Sequence, residues 1–327
     1  MKIDKAKVKK ILVIGLSNIG DAVLTTPVVR VLRDNFPQAH LAVLVGPRAF
    51  SVFKNDQRLD KKIIYDKTSY WKNKLRLFNR LRQDKYNLVV DLRNSAFAVF
   101  LGARYHTSVF RKAPKSLLHM KDRHLWKLKS LGLDIDEGIG PSVAFSENDR
   151  QNVQKLLNKW QVKEGRKVIA VAPGARNMTK RWEKEKYRQL VKQLIKEYSA
   201  KIIMLGDAQD KLIAEEIIDQ LKPLPVNACG KTTIGELAFL LTKCKLLVTN
   251  DSAPMHLGWA ANIPVVAIFG PSSHKKYAPA GPQTIAIYKA LKCYPCEQSL
   301  CPKGTRECMK LISVDEVFAA CKRILNG

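Results

Sequence analysis

The sequence predicts an α/β protein built of two doubly wound domains facing a central cleft, and three observations predict it. Short apolar, β-branched runs alternate with amphipathic stretches from end to end, the pattern of parallel strands joined by crossover helices. The runs are nearly continuous in apolar residues, as strands covered on both faces require. The chain has 327 residues, of which 46% are hydrophobic, enough for two cores of ordinary size.

Strands are expected at residues 10–14, 41–45, 62–65 and 88–92 in the first half, and at 168–171, 202–205, 246–249 and 265–269 in the second. Between the first two, Leu24, Val28, Val31, Leu32 and Phe36 recur at helical spacing. Pro27 is expected to kink that helix near its start, since it lacks an N–H and clashes with the preceding turn. Between residues 138 and 165 glycines and polar residues loosen the pattern around one short helix, 149–160, which sets the domains at 1–160 and 161–327. Near the end, Ser313 followed by Glu316 forms a capping box. It opens a helix whose Val314, Val317, Phe318, Cys321 and Leu325 make one apolar stripe. No repeat is visible beyond this coarse doubling.

The charge is lopsided: 57 Lys and Arg against 29 Asp and Glu give +28. Residues 61–130 hold 18 of those cations and only 4 Asp, so half the excess lies in about a fifth of the chain. Such a concentration points to an anionic partner: nucleic acid, anionic lipid, or an acidic glycolipid at a membrane. The alternative is a solubilising basic face. A nucleic-acid-binding protein is the reading that charge alone suggests, yet no helix-turn-helix, zinc-finger or RNA-binding signature accompanies it, and no nucleic-acid partner is expected. Trp71, Phe78 and Tyr86 in the same stretch are either core residues or membrane contacts, and core is the preferred reading. The apolar run at 11–16 is too short for a membrane span or a signal-peptide core, so a cytoplasmic location is expected.

Three stretches carry chemistry. After the first strand, Gly15 to Gly20 form a tight turn that delivers Asp21 to a helix start at the carboxyl edge of the sheet, where ligands bind. A phosphate loop would have Lys in place of Asp21, and the four residues between the glycines fail the dinucleotide fingerprint. A carboxylate there suits a general base, or equally a first-turn acid favoured by the helix dipole. After strand 168–171 come Pro173, Gly174, Ala175, Arg176, Thr179, Lys180, Arg181 and Trp182, whose cations and amides can hold a diphosphate or can simply be a solvated charge run. Finally Thr249, Asn250, Asp251, Ser252, Ala253, Pro254, Met255 and His256 run from a buried strand into a helix start. Ser252 or Asp251 can cap that helix and Pro254 suits its first turn. Free amides there make an anion site, while His256 alone reads as either a packed residue or a ligand. Gly270, Pro271 and Ser272 close the next strand and are expected to line the same cleft.

Taken together, these blocks resemble the ADP-heptose:lipopolysaccharide heptosyltransferases of glycosyltransferase family nine, in order and spacing, over nearly the whole length. The resemblance rests on Gly20, Asp21, Thr26 and Pro27; on Pro173 to Ala175 with Lys180 to Trp182; and on Asp251, Ser252, His256, Gly270 and Pro271. It implies a GT-B fold of two Rossmann-like domains, the first taking the acceptor and the second the nucleotide sugar. It implies inverting transfer of heptose from ADP-heptose to the inner core of lipopolysaccharide, with Asp21 as base and no metal or cofactor required for catalysis. Lys180, Asp251, Ser252, Ala253 and His256 are then expected to hold the donor, with Arg176 and Thr232 near the nucleotide and Asp207 on the ribose. Another GT-B transferase with a different nucleotide sugar is the alternative within the same fold.

The same resemblance connects the charge to mechanism. The acceptor implied is an anionic lipopolysaccharide precursor of the Kdo-lipid A type, reached by peripheral attachment at the inner face of the cytoplasmic membrane. Arg76, Arg80, Arg82, Arg93, Arg104 and Arg111 are the guanidiniums suited to its phosphates. Separately, Cys293, Cys296, Cys301 and Cys308 lie within 16 residues, a grouping that admits a structural zinc or iron–sulfur site, disulfides, or free thiols.

Overall fold

The computed structural model describes residues 3–95, 97–108, 110–136, 138–163 and 165–327. The chain divides into two compact units, Met1–Ala144 and Phe145–Gly327. In the first, β1 (Lys10–Ile14), β2 (His40–Val45), β3 (Lys61–Ile64), β4 (Leu88–Asp91) and β5 (Tyr105–His106) form a five-stranded sheet in the order β3-β2-β1-β4-β5. Every pairing in it is parallel. In the second, β6 (Val168–Ala172), β7 (Lys201–Met204), β8 (Val226–Asn227), β9 (Leu246–Asn250), β10 (Val265–Ile268) and β11 (Thr284–Ile287) pair in parallel in the order β11-β10-β9-β6-β7-β8.

Both are doubly wound sheets, and in each the strand order reverses at one place: between β1 and β4, and between β6 and β9. At such a switch point the loops leave in opposite directions and open a crevice at the carboxyl edge. All eight expected strands form, each within one residue of the predicted ends. Their cause is burial: Ile11 to Ile14, all of β4 and all of β6 are buried. Each fully buried Val, Leu or Ile contributes about 1.5–3 kcal/mol relative to exposure. β5 and β8, of two residues each, carry no comparable apolar run; β11 carries one in Ile285–Ile287, and none of the three was expected.

Two expectations differ in detail. Pro27 does not kink one helix; the chain forms two, Ile19–Val23 and Thr26–Asn35, with Pro27 in the first turn of the second, where its missing N–H costs nothing. The helix expected at 149–160 runs Glu147–Lys159, opened by a Ser146–Asp149 capping box. It packs on helix Ile234–Thr242 of the second unit, with Asn152 Nδ2 donating to Glu236 Oε1 at 2.8 Å. The closing helix, Val314–Leu325, has both bonds of its Ser313–Glu316 capping box and buries Val317, Ala320 and Cys321 against β9 and β10. Among the described residues no helix is long and apolar enough to cross a membrane.

Candidate functional site

In the second unit the two signature loops leave adjacent strands. β6 and β9 pair with Ala172 opposite Thr249, so Pro173 and Asn250 emerge side by side at the switch point. Asn250 is fully buried and ties the loops together. Its Nδ2 donates to the Pro173 carbonyl (2.6 Å), while its Oδ1 accepts from the Trp182 backbone N–H (3.1 Å) and the Tyr187 hydroxyl (3.0 Å). Next to it, Lys180 Nζ meets Asp251 Oδ2 at 2.7 Å, with the carboxylate buried and the ammonium half-buried. The loop before Lys180 is set by Asn177, whose Oδ1 accepts from the Thr179 N–H and hydroxyl, and by Arg181 Nε donating to the Ala175 carbonyl at 2.7 Å.

Three glycines are dictated by contact. A Cβ on Gly174 would lie 2.2 Å from the Asp210 carboxyl, and one on Gly206 2.6 Å from Asp210 Cβ. Asp210 thus fills the space both leave, and burial together with the neighbouring Asp207 charge raises its pKa. A Cβ on Gly270 would stand 2.5 Å from Met309 Sδ and 3.2 Å from the Thr179 carbonyl, so this glycine seats the Lys180 turn.

Helix Ala253–Ala260 begins at this edge with Pro254 in its first turn, but neither expected side chain caps it. Asp251 is held by Lys180, and the Ser252 hydroxyl lies 3.4 Å from that of Thr249. Its start therefore keeps the amide-rich character that suits an anion. His256 is buried one turn in. Around the same edge stands an aromatic group that no sequence motif marked. The His274 ring stacks on Tyr288 (centroids 3.9 Å) and its Nδ1 lies 2.7 Å from the Tyr294 hydroxyl. Burial lowers the pKa of His274 and raises that of Tyr294, which also feels the Asp251 charge. Arg176 is exposed on the first loop, and Thr232 is half-buried just before the helix Ile234–Thr242. Asp207, exposed after β7, accepts from the Gln209 and Asp210 N–H groups, so its carboxylate is engaged in a local cap.

In the first unit the turn after β1 carries Asp21 on helix Ile19–Val23, half-buried, with Asn18 Nδ2 donating to its Oδ2 at 2.9 Å. The other carboxylate at this switch point, Asp91 at the end of β4, is saturated. It accepts from the Arg93 N–H (2.8 Å), the Ser95 N–H (3.0 Å) and the Ser95 hydroxyl (2.5 Å). The buried Lys127 ammonium binds the Asp91 carbonyl (2.6 Å) and Asn94 Oδ1 (2.5 Å), and burial lowers its pKa. Asp21, by contrast, accepts from the Asn18 amide. His124 lies within reach of its charge; burial pushes that histidine down to about 4, so it is neutral near pH 7.

The six arginines do not gather. Arg93 follows β4 at the carboxyl edge and lies over the Tyr65 ring, 5.6 Å from its centroid. Arg104 precedes β5, which puts it at the opposite, amino edge, near Asp4. Arg76, Arg80 and Arg82 lie along helix Trp71–Gln83, and Arg111 Nη1 donates to the Ser130 carbonyl at the end of helix Met120–Lys129. Of the three aromatics expected in the core, Tyr86 is buried and Phe78 packs against the core, but Trp71 is 58% exposed.

All seven cysteines are free thiols. Cys293, Cys296, Cys301 and Cys308 ring one cavity of about 30 Å³. Among the described residues, however, no three His, Cys, Asp or Glu side chains are disposed to hold a metal ion. Backbone N–H groups, Arg306 first, surround the Cys301 sulfur and lower its pKa, while burial and then the neighbouring Cys296, Cys301 and Cys293 raise that of Cys308.

The family model for glycosyltransferase family 9 (heptosyltransferase) matches residues 74–306. A lipooligosaccharide heptosyltransferase 2 from Campylobacter jejuni is 25% identical over 323 residues, covering 94% of this chain and 96% of that one. The crystal structure of a family 9 glycosyl transferase from Veillonella parvula superposes with a TM-score of 0.84 at 25% identity, covering 97% of each chain. That of ADP-heptose lps heptosyltransferase II from E. coli does so with 0.76 at 25% identity, covering 97% of this chain and 98% of that one.

Proposed function

This chain belongs to glycosyltransferase family 9, the heptosyltransferases, and we propose that it moves heptose from ADP-heptose to the inner core of a lipopolysaccharide precursor. The observation that carries the reading is the pairing of Lys180 with Asp251 where β6 and β9 part, beside the amide-rich start of helix Ala253–Ala260. Cation, amides and dipole at one strand edge suit a pyrophosphate, and they matter most when its charge grows. The Campylobacter lipooligosaccharide heptosyltransferase 2 and the E. coli ADP-heptose lps heptosyltransferase II to which the chain is similar suggest the sugar and the class of acceptor.

In the reaction an acceptor hydroxyl oxygen attacks the anomeric carbon of the heptose. The bond from that carbon to the β-phosphate oxygen breaks, its electrons go to ADP, and the configuration inverts. Asp21 takes the hydroxyl proton, held in orientation by Asn18. Lys180 and the helix amides stabilise the departing diphosphate, with Ser252, Ala253 and His256 lining the phosphates and sugar, and Arg176, Thr232 and Asp207 flanking the nucleotide. The acceptor is a Kdo-lipid A type glycolipid met at the inner face of the cytoplasmic membrane, with the arginines of the first unit drawn to its phosphates.

A panel of ADP-, UDP- and GDP-linked sugars read by thermal shift tests the donor. ADP-heptose should raise Tm most, by several degrees at saturation. Equal or greater stabilisation by a UDP sugar, with no heptosylated product from ADP-heptose, would remove the reading.

A further inference from the structure

We propose that helix Trp71–Gln83, with its neighbour Phe97–Phe100, is the surface by which this chain docks on an anionic lipid bilayer. The proposal rests on the lipid-anchored acceptor of the preceding reading and adds which face of the first unit meets the membrane.

Residues 67–83 hold Lys67, Lys72, Lys74, Arg76, Arg80 and Arg82 and no acid. None of them is ion-paired within 4 Å among the described residues. The helix is amphipathic, and its apolar stripe is wider than the core needs. Leu77, Phe78 and Leu81 pack inward. Trp71 and Leu75, one turn apart, extend the stripe into solvent together with Tyr70, which is 62% exposed. Lys72, Arg76 and Arg80, at successive i+4 positions, form a row alongside it. Phe97 packs edge-on against Phe78 at 5.4 Å, which puts the short helix Phe97–Phe100 next to the first. That helix exposes Val99 and Phe100, the latter by 65%.

Beside Arg80 a cavity of about 380 Å³ opens along the edge strand β3, with apolar Ile63, Ile64 and Leu77, cationic Lys62, and Lys61 paired with Asp84 at 2.8 Å in its walls. Exposed aromatic and aliphatic side chains bordered by unpaired cations match the acyl–headgroup boundary of an anionic leaflet, apolar groups entering and cations meeting phosphates. Charge decides the occupant. A neutral apolar partner would leave this cationic row unanswered, and a second copy would bring the same row against itself.

The full chain is sedimented with vesicles of pure phosphatidylcholine and with vesicles that also carry phosphatidylglycerol, without donor or acceptor. The wild type should bind the anionic vesicles at least ten-fold more tightly. At about five-fold per basic residue near a charged surface, Lys72→Ala with Lys74→Ala should weaken that binding about thirty-fold. Trp71→Ser with Leu75→Ser should weaken it about ten-fold or more at any salt concentration. Both variants should keep the wild-type ADP-induced thermal shift and urea midpoint, which excludes unfolding as the cause. Turnover of a de-acylated, water-soluble acceptor should also be unchanged. Loss of that turnover in the wild type would count against the heptosyltransferase reading, whereas vesicle binding reports on the docking surface alone. Equal binding to neutral and anionic vesicles, undiminished binding by both variants, or a dimer that Trp71→Ser with Leu75→Ser dissolves would each overturn the proposal.

Discussion

Replacing Asn250 by Ala should cost about 3–5 kcal/mol, because it strands three buried groups at once. The Trp182 N–H, the Tyr187 hydroxyl and the Pro173 carbonyl all lose their partner. Each unsatisfied buried polar group costs about 1–3 kcal/mol, and the low end applies to each because the space left by the amide admits a water. Against a total stability of about 5–15 kcal/mol the loss is large, and urea denaturation reads it as a lower midpoint with little change in slope. The change should also reach the donor site, since the same amide holds the Pro173 loop and the Lys180 turn beside β9. ADP affinity should therefore fall even where the variant is folded. Asn250→Asp sharpens the test. It keeps an acceptor for Trp182 and Tyr187 but turns the donor toward the Pro173 carbonyl into a second acceptor. It should retain the acceptor contacts and still misplace Pro173, weakening ADP binding. A loss below about 1 kcal/mol for Asn250→Ala, with ADP binding intact, would refute the claim that this side chain builds the site.

Asp21→Asn should lower kcat by about 10²–10⁴-fold, leaving the ADP-induced thermal shift in place, as expected for loss of a base and not of a binding group. Gly174→Ala should destabilise by about 1–3 kcal/mol in a melting experiment, since the new methyl meets the Asp210 carboxyl at 2.2 Å and displaces it from its cap. His124 is held at about 4 when folded and titrates near 6.5 when unfolded. The unfolded chain therefore takes up the proton first as pH falls, and stability is lost between about pH 6.5 and 4, by about 3 kcal/mol in total. His124→Gln should remove that part of the acid sensitivity, seen as a shallower fall of the urea midpoint over this range.

The doubly wound architecture was legible because its central strands are buried on both faces and spell themselves as apolar runs. The strands that escaped notice are peripheral: β5 and β8 have two residues each, and β11 is half-buried along its whole length. Missing β5 had a further effect. Arg104 directly precedes it, so nothing in the sequence marked this arginine as belonging to the amino edge of the sheet, away from Asp21. Lys180 and Asp251 were both visible as site candidates, since charged residues after a buried strand have few other reasons to be there. Asn250 was not, because its role lies in bonds to residues 63 to 77 positions away. Trp71 failed for a different reason: helical periodicity identifies an apolar stripe but not how much of it a neighbour covers.

The strand order also governs the sequence of events as the chain emerges from the ribosome. Ile11 of β1 pairs with Leu88 of β4, and Ile169 of β6 pairs with Leu246 of β9, a span of 77 positions in both units. At usual synthesis speeds the middle of each sheet must wait roughly 4 to 15 s for its other half, exposing sticky strands meanwhile. A nascent half-sheet of this kind is a natural client for a holding chaperone, and slowing translation just before Leu88 or Leu246 should lower the yield of native enzyme.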